Sequence, residues 1–125
     1  MGSGIAESFA RIPALFAASE ALVRGAARAR ITLLLEAGEE CKRLRLDCGT
    51  LQIQDTSGPM DGWDVALRAA PDAWADHWSL FPRPDANDIF GMARHGRMRI
   101  EGNFLPLMRH LQLVKDIVAL PRGAS

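Results

Sequence analysis

The sequence has no tyrosine and only two cysteines, Cys41 and Cys48, with no second pair beside them. So few thiols exclude a disulfide scaffold and a cysteine-rich zinc site, and both are expected as reduced, buried side chains. There is no excess charge of either sign: 15 Lys and Arg balance 15 Asp and Glu. A neutral chain generates no field to hold nucleic acid. No apolar run approaches the roughly eighteen residues of a membrane span, which excludes stable membrane insertion, and the start lacks the basic and apolar regions of a signal peptide. A cytoplasmic location is the expectation. Catalytic motifs are missing as well: there is no Gly-x-Ser-x-Gly elbow, no glycine-rich phosphate loop and no His-Glu-x-x-His pair. The three histidines, His77, His95 and His110, are scattered and none stands at metal-ligand spacing. His77 beside Asp76 is the one proton-transfer candidate, but adjacent helical residues point about 100° apart. No metal, cofactor or enzymatic activity is expected.

What remains is the composition of one globular domain. Hydrophobic residues make up 48% and charged residues 24% of 125 positions, enough for a single core spanning 1–125. Met1-Gly2-Ser3-Gly4 reads as a disordered start or a cloning remnant. Ile5, Phe9, Ile12, Phe16 and Leu22-Val23 recur at helical spacing, and Pro13 predicts that the firm helix begins there and runs to Ala27 or Arg28. Ile31–Leu35 predicts a strand closed by a turn at Gly38. Leu44, Leu46 and Cys48 alternate with Arg43, Arg45 and Asp47, and Leu51 and Ile53 with Gln52 and Gln54, as in half-buried strands. Asp55 to Gly62 is turn chemistry throughout and predicts an exposed, mobile loop. Val65 and Leu67 mark another strand. Pro71-Asp72 opens a helix with Trp74 and Trp78 on one face, and Asp85 or Asn87 caps a helix over 88–94.

Gly96-Arg97-Met98-Arg99-Ile100-Glu101-Gly102-Asn103 then reads as a strand running into a helix. Met98 and Ile100 alternate with the charged residues, which places Arg97 and Arg99 on the outward face. Gly102 lets the backbone turn, Asn103 is a good N-cap, and Pro106 falls in the first helical turn, where its missing N–H costs nothing. The helix is expected to continue to Leu120. On a wheel, Phe104, Leu107, Leu111, Val114 and Val118 fall together, Leu113, Ile117 and Leu120 widen the arc, and His110 lies inside it, where a polar group needs a partner. Strands first and helices grouped later argue for α+β.

The 96–103 segment, the apolar helix after it and the upstream Trp63-Asp64-Val65-Ala66-Leu67-Arg68 strand together resemble the sterol carrier protein (type two) family. The resemblance implies a five-stranded, mostly antiparallel sheet with helices packed on one face around an apolar cavity. It also implies non-enzymatic binding, and transfer, of a fatty acid, acyl chain or sterol-like lipid in an internal tunnel. Trp74, Trp78, Phe90, Ile100, Phe104, Leu107, Met108 and Leu111 are the expected lining, with Met and aromatic groups suited to repacking around a ligand. A chain of about fifteen buried methylenes would gain roughly 12 kcal/mol gross, and association costs offset half or more of it. The other reading is an accessory domain of the same fold with a closed groove that pairs with itself or with a partner enzyme.

Overall fold

Phe9, Ile12 and Phe16 repeat at helical spacing and are fully buried, and they organise the first element, α1 (Ser3–Ala17). Pro13 lies inside this helix rather than at its start. The correction is energetic: an interior proline costs about 3 kcal/mol, while each of three large buried side chains contributes about 1.5–3 kcal/mol. The chain then breaks at Ser19, whose side chain accepts from the Leu22 N–H at 3.3 Å and opens α2 (Glu20–Gly25). The structure, a computed structural model, describes residues 3–55 and 62–122, so Met1, Gly2 and most of the turn expected at Asp55–Gly62 lie outside the described residues.

Five strands follow in the order β1 (Arg30–Ala37), β2 (Glu40–Asp47), β3 (Thr50–Asp55), β4 (Val65–Ala69) and, after two helices, β5 (Met98–Gly102). They form one sheet with the spatial order β3-β2-β1-β4-β5. Three of its four pairings are antiparallel, and β1 runs parallel to β4 in the register Leu33↔Val65 to Ala37↔Ala69. The architecture is α+β, as expected, with the β1–β4 pairing as the parallel exception.

The β2–β3 turn corrects the reading of Cys48. Asp47 pairs with Thr50, which leaves Cys48 and Gly49 as a two-residue connection with φ of 49° and 86°. Tight hairpins of this kind require positive φ at both central positions. Cys48 is therefore exposed and Cys41 half-buried, and neither is the buried thiol the alternation suggested.

One face of the sheet carries Ile31, Leu33, Leu35, Leu44, Leu46, Val65, Leu67 and Met98 into the core, where α1 and the later helices cover them. Those helices are α3 (Pro71–His77), α4 (Ile89–Arg94), α5 (Phe104–Arg109) and α6 (Leu111–Val118). The N-cap of α4 is Asp88 itself, accepting from the Gly91 N–H at 2.8 Å, rather than the expected Asp85 or Asn87. The opposite face is polar apart from Leu34 and Ala66. There Arg68 reaches Glu36 on β1 at 3.1 Å and Glu101 on β5 at 2.6 Å, with its guanidinium 5.7 Å from the Trp63 ring centre.

Candidate functional site

The strand-to-helix junction at Gly102 forms largely as its residues dictate. Gly102 sits at φ 115°, and a Cβ there would fall 2.4 Å from the Asp64 carbonyl oxygen and 2.8 Å from the Trp63 ring. Asn103 caps α5, its side-chain oxygen accepting from the Leu105 N–H at 3.0 Å. The helix is not continuous to Leu120. It breaks at His110 (φ −119°, ψ 31°), so that a six-residue α5 precedes α6. His110 lies half-buried in this break rather than within an apolar arc.

The expected lining residues divide into two groups. Trp74, Trp78 and Leu107 are core residues. The Phe9 ring stands edge-on to both indoles, with centres 5.3 Å and 5.5 Å away. Each indole N–H has a backbone carbonyl partner: Trp74 Nε1 donates to Glu36 at 2.9 Å, and Trp78 Nε1 donates to Val118 at 2.8 Å. Both indoles are thus packed into the hydrophobic core. Phe104, Leu105 and Met108, in contrast, are 45%, 65% and 55% exposed along α5, while Leu107 is fully buried. Phe90, Ile100 and Leu111 are half-buried against the core. Leu105 was missing from the sequence reading, although its place beside Phe104 in a cap-defined helix could have marked it. Leu80 and Phe81 are also exposed, in the link between α3 and α4.

Two concavities on the described surface have linings rich in polar groups. A groove of about 770 Å³ runs past Pro84, Asp88, Phe90, Arg94, His95 and Lys115. Lys115 lies 3.7 Å from Asp88 and 5.7 Å from the Phe90 ring centre. A smaller hollow is lined by His77, Asn87, Asp88, Gln112, Asp116 and Arg122. Neither is lined by Trp74, Trp78, Phe104, Leu107, Met108 or Leu111.

His77 is buried, and its Nδ1–H donates to the Ala86 carbonyl at 2.8 Å while Nε2 has no hydrogen-bond partner among the described residues. Burial pushes its pKa down, the Ala86 carbonyl opposes this, the Arg122 guanidinium adds to it and Asp88 opposes it more weakly. Asp76 turns instead to Arg97 at 2.8 Å, so the neighbouring residues of the sequence do not form a proton-transfer pair. Arg122 donates to the His77 carbonyl at 2.9 Å and the Asn87 carbonyl at 2.8 Å, fastening the end of the chain onto α3. Among the described residues, no group of three His, Cys, Asp or Glu side chains is placed to hold a metal, and no helix is long and apolar enough to cross a membrane.

A polar-backed five-stranded sheet, one layer of helices and a short apolar helix after the last strand define an SCP2-like fold, the fold of sterol carrier proteins. Among solved structures, the chain is similar to a conserved hypothetical protein of Thermus thermophilus suggested to be a sterol carrier protein. The two superpose with a TM-score of 0.69 at 15% identity over 95% of this chain and 87% of that one. It is also similar to UbiJ-SCP2, a ubiquinone synthesis protein, with a TM-score of 0.60 at 16% identity over 99% and 95% of the two chains. A third likeness covers 73% of this chain but 14% of the stereoselective inverting sec-alkylsulfatase Pisa1 from Pseudomonas sp., with a TM-score of 0.54 at 17% identity. No protein-family model matches the sequence, and no curated protein matches it.

Proposed function

We propose that this chain is a non-enzymatic binder of a hydrophobic ligand, a fatty acid, acyl chain or sterol-like lipid, with α5 as the movable wall of the site. The observation that carries the reading is the inverted burial of α5, which leaves Phe104, Leu105 and Met108 in water on an SCP2-like frame. A single exposed apolar side chain needs no explanation, but three on one six-residue helix form a patch suited to an apolar partner. Gly102 and the break at His110 bound the helix as a short separate segment between β5 and α6. Entry of an acyl chain beneath α5 would exchange the exposed groups for ligand contacts against Phe90, Ile100 and Leu111. The net gain, after the costs of ordering the chain, corresponds to affinities of about micromolar, which suits a carrier that also releases.

The test is titration with a fluorescent fatty acid, alongside native mass spectrometry of protein taken from cytosol before and after organic extraction. Saturable uptake and a lipid mass lost on extraction are expected. Leu105→Glu with Met108→Glu should weaken uptake at least tenfold while leaving the melting temperature unchanged, because both side chains are exposed. A clean apo mass together with no uptake would sink the reading. A second reading, an accessory domain with a closed groove that pairs with itself or with an enzyme, is supported by the burial of Trp74, Trp78 and Leu107 in the hydrophobic core.

A further inference from the structure

β5 ends its side of the sheet, so no strand among the described residues pairs with its outer row of backbone N–H and C=O groups. Proteins commonly blunt such edges with charge. Arg97, just before the strand, is drawn toward Asp76 at 2.8 Å and Asp85 at 3.6 Å. That leaves Arg99, whose side chain is 74% exposed, and Glu101 as the charges on β5 itself; Glu101 also accepts from Arg68 at 2.6 Å, and within one copy Arg99 and Glu101 pair with each other along the strand. They flank Ile100 symmetrically, one residue to either side, and both lie on the polar face of the sheet.

That order is self-complementary. In an antiparallel pairing of two β5 strands centred on Ile100, Arg99 stands opposite Glu101 of the second copy, and Glu101 opposite its Arg99. The neighbouring registers that keep the same faces aligned set Arg99 against Arg99, or Glu101 against Glu101, and like charges directly opposite are unfavourable. On the helical face, half-buried Ile100 meets Ile100 of the second copy. Gly102 stands opposite Met98, at the two ends of the five-residue strand. We propose that two copies of this chain associate about a two-fold axis through Ile100, extending the sheet across β5 to ten strands. The association stands independently of lipid binding, and its tests use no lipid.

Sedimentation velocity over a dilution series should show a reversible dimer. Arg99→Glu alone and Glu101→Arg alone should each weaken self-association at least tenfold, since each places like charges across both halves of the seam. Mixed together, the two variants should form a heterodimer, because every 99–101 pair across the seam is then of opposite sign. Because Glu101→Arg also removes a partner of Arg68, a second arm avoids that position. Ile100→Cys in a Cys41→Ser, Cys48→Ser background should link two copies through a disulfide under mild oxidation, as residues on the axis of an antiparallel pair lie within bridging reach. Wild-type protein that stays monomeric throughout the series would overturn the proposal. So would a dimer that is indifferent to Arg99→Glu and does not cross-link at position 100.

Discussion

Replacing Trp78 by Phe removes one hydrogen bond from a defined place, and its effect can be worked out. The indole N–H donates at 2.8 Å to the carbonyl of Val118, at the end of α6, where helical carbonyls lack partners of their own. Phenylalanine leaves that buried acceptor unsatisfied, at a cost of about 1–3 kcal/mol. The smaller ring also gives up burial worth roughly 1 kcal/mol and weakens the edge-on contact with Phe9 at 5.5 Å. A total loss of about 2–4 kcal/mol is expected. With a urea slope of about 1–3 kcal/mol per molar for a small protein, the midpoint falls by roughly 1 M or more. Trp74→Phe is the matched control, since Trp74 donates to Glu36 on β1 rather than to α6. Urea melts should show comparable losses in both variants, while amide hydrogen exchange in α6 should quicken beyond the global change only in Trp78→Phe. Equal exchange in α6 for the two variants, or a loss below about 1 kcal/mol for Trp78→Phe, would refute the idea that this bond holds α6 onto α3.

Two further outcomes follow from single residues. Gly102→Ala should destabilise by at least about 2 kcal/mol in a urea melt, because its φ of 115° strains any L side chain and a new Cβ meets the Asp64 backbone oxygen at 2.4 Å; a change within about 0.5 kcal/mol would contradict the geometry. His77 makes stability depend on pH, since its folded pKa lies below the unfolded value of 6.5. The unfolded chain therefore binds the extra proton first, and the stability contributed by neutral His77 is complete above pH 6.5 and lost as pH falls below it, at up to about 1.4 kcal/mol per pH unit. His77→Gln should flatten that slope in melts between pH 7 and 5, and an unchanged slope would assign it to other groups.

Patterns that repeat locally were legible in the sequence, and those that depend on remote partners were not. Alternation located the faces of β2, β3 and β5, and the Gly102-Asn103-Pro106 spacing identified the start of α5 because turn and cap chemistry involve neighbours only. Pro13 misled, since a local penalty was read without the burial of Phe9, Ile12 and Phe16 that outweighs it. Cys48 misled for the opposite reason: period-two alternation was extended one residue into a turn. The parallel β1–β4 pairing and the Arg122 clasp on α3 join residues more than thirty positions apart, which no spacing rule registers. For the site, apolar wheel positions fit a tunnel lining and a filled core equally well. Trp74, Trp78 and Leu107 went to the core, and only the exposure of Phe104, Leu105 and Met108 set α5 apart.

The bridge made by Arg68 bears on the route by which the sheet assembles. β1, β2 and β3 are joined by tight connections and can zip together as contiguous hairpins, whereas β4 must find β1 across a long stretch of chain. Arg68 lies opposite Glu36 in that late pairing and also grips Glu101 on β5. A slip of β4 by one residue would turn its guanidinium into the apolar layer and bury an unpaired charge. One arginine thus favours the native alignment of three strands over the nearest wrong one.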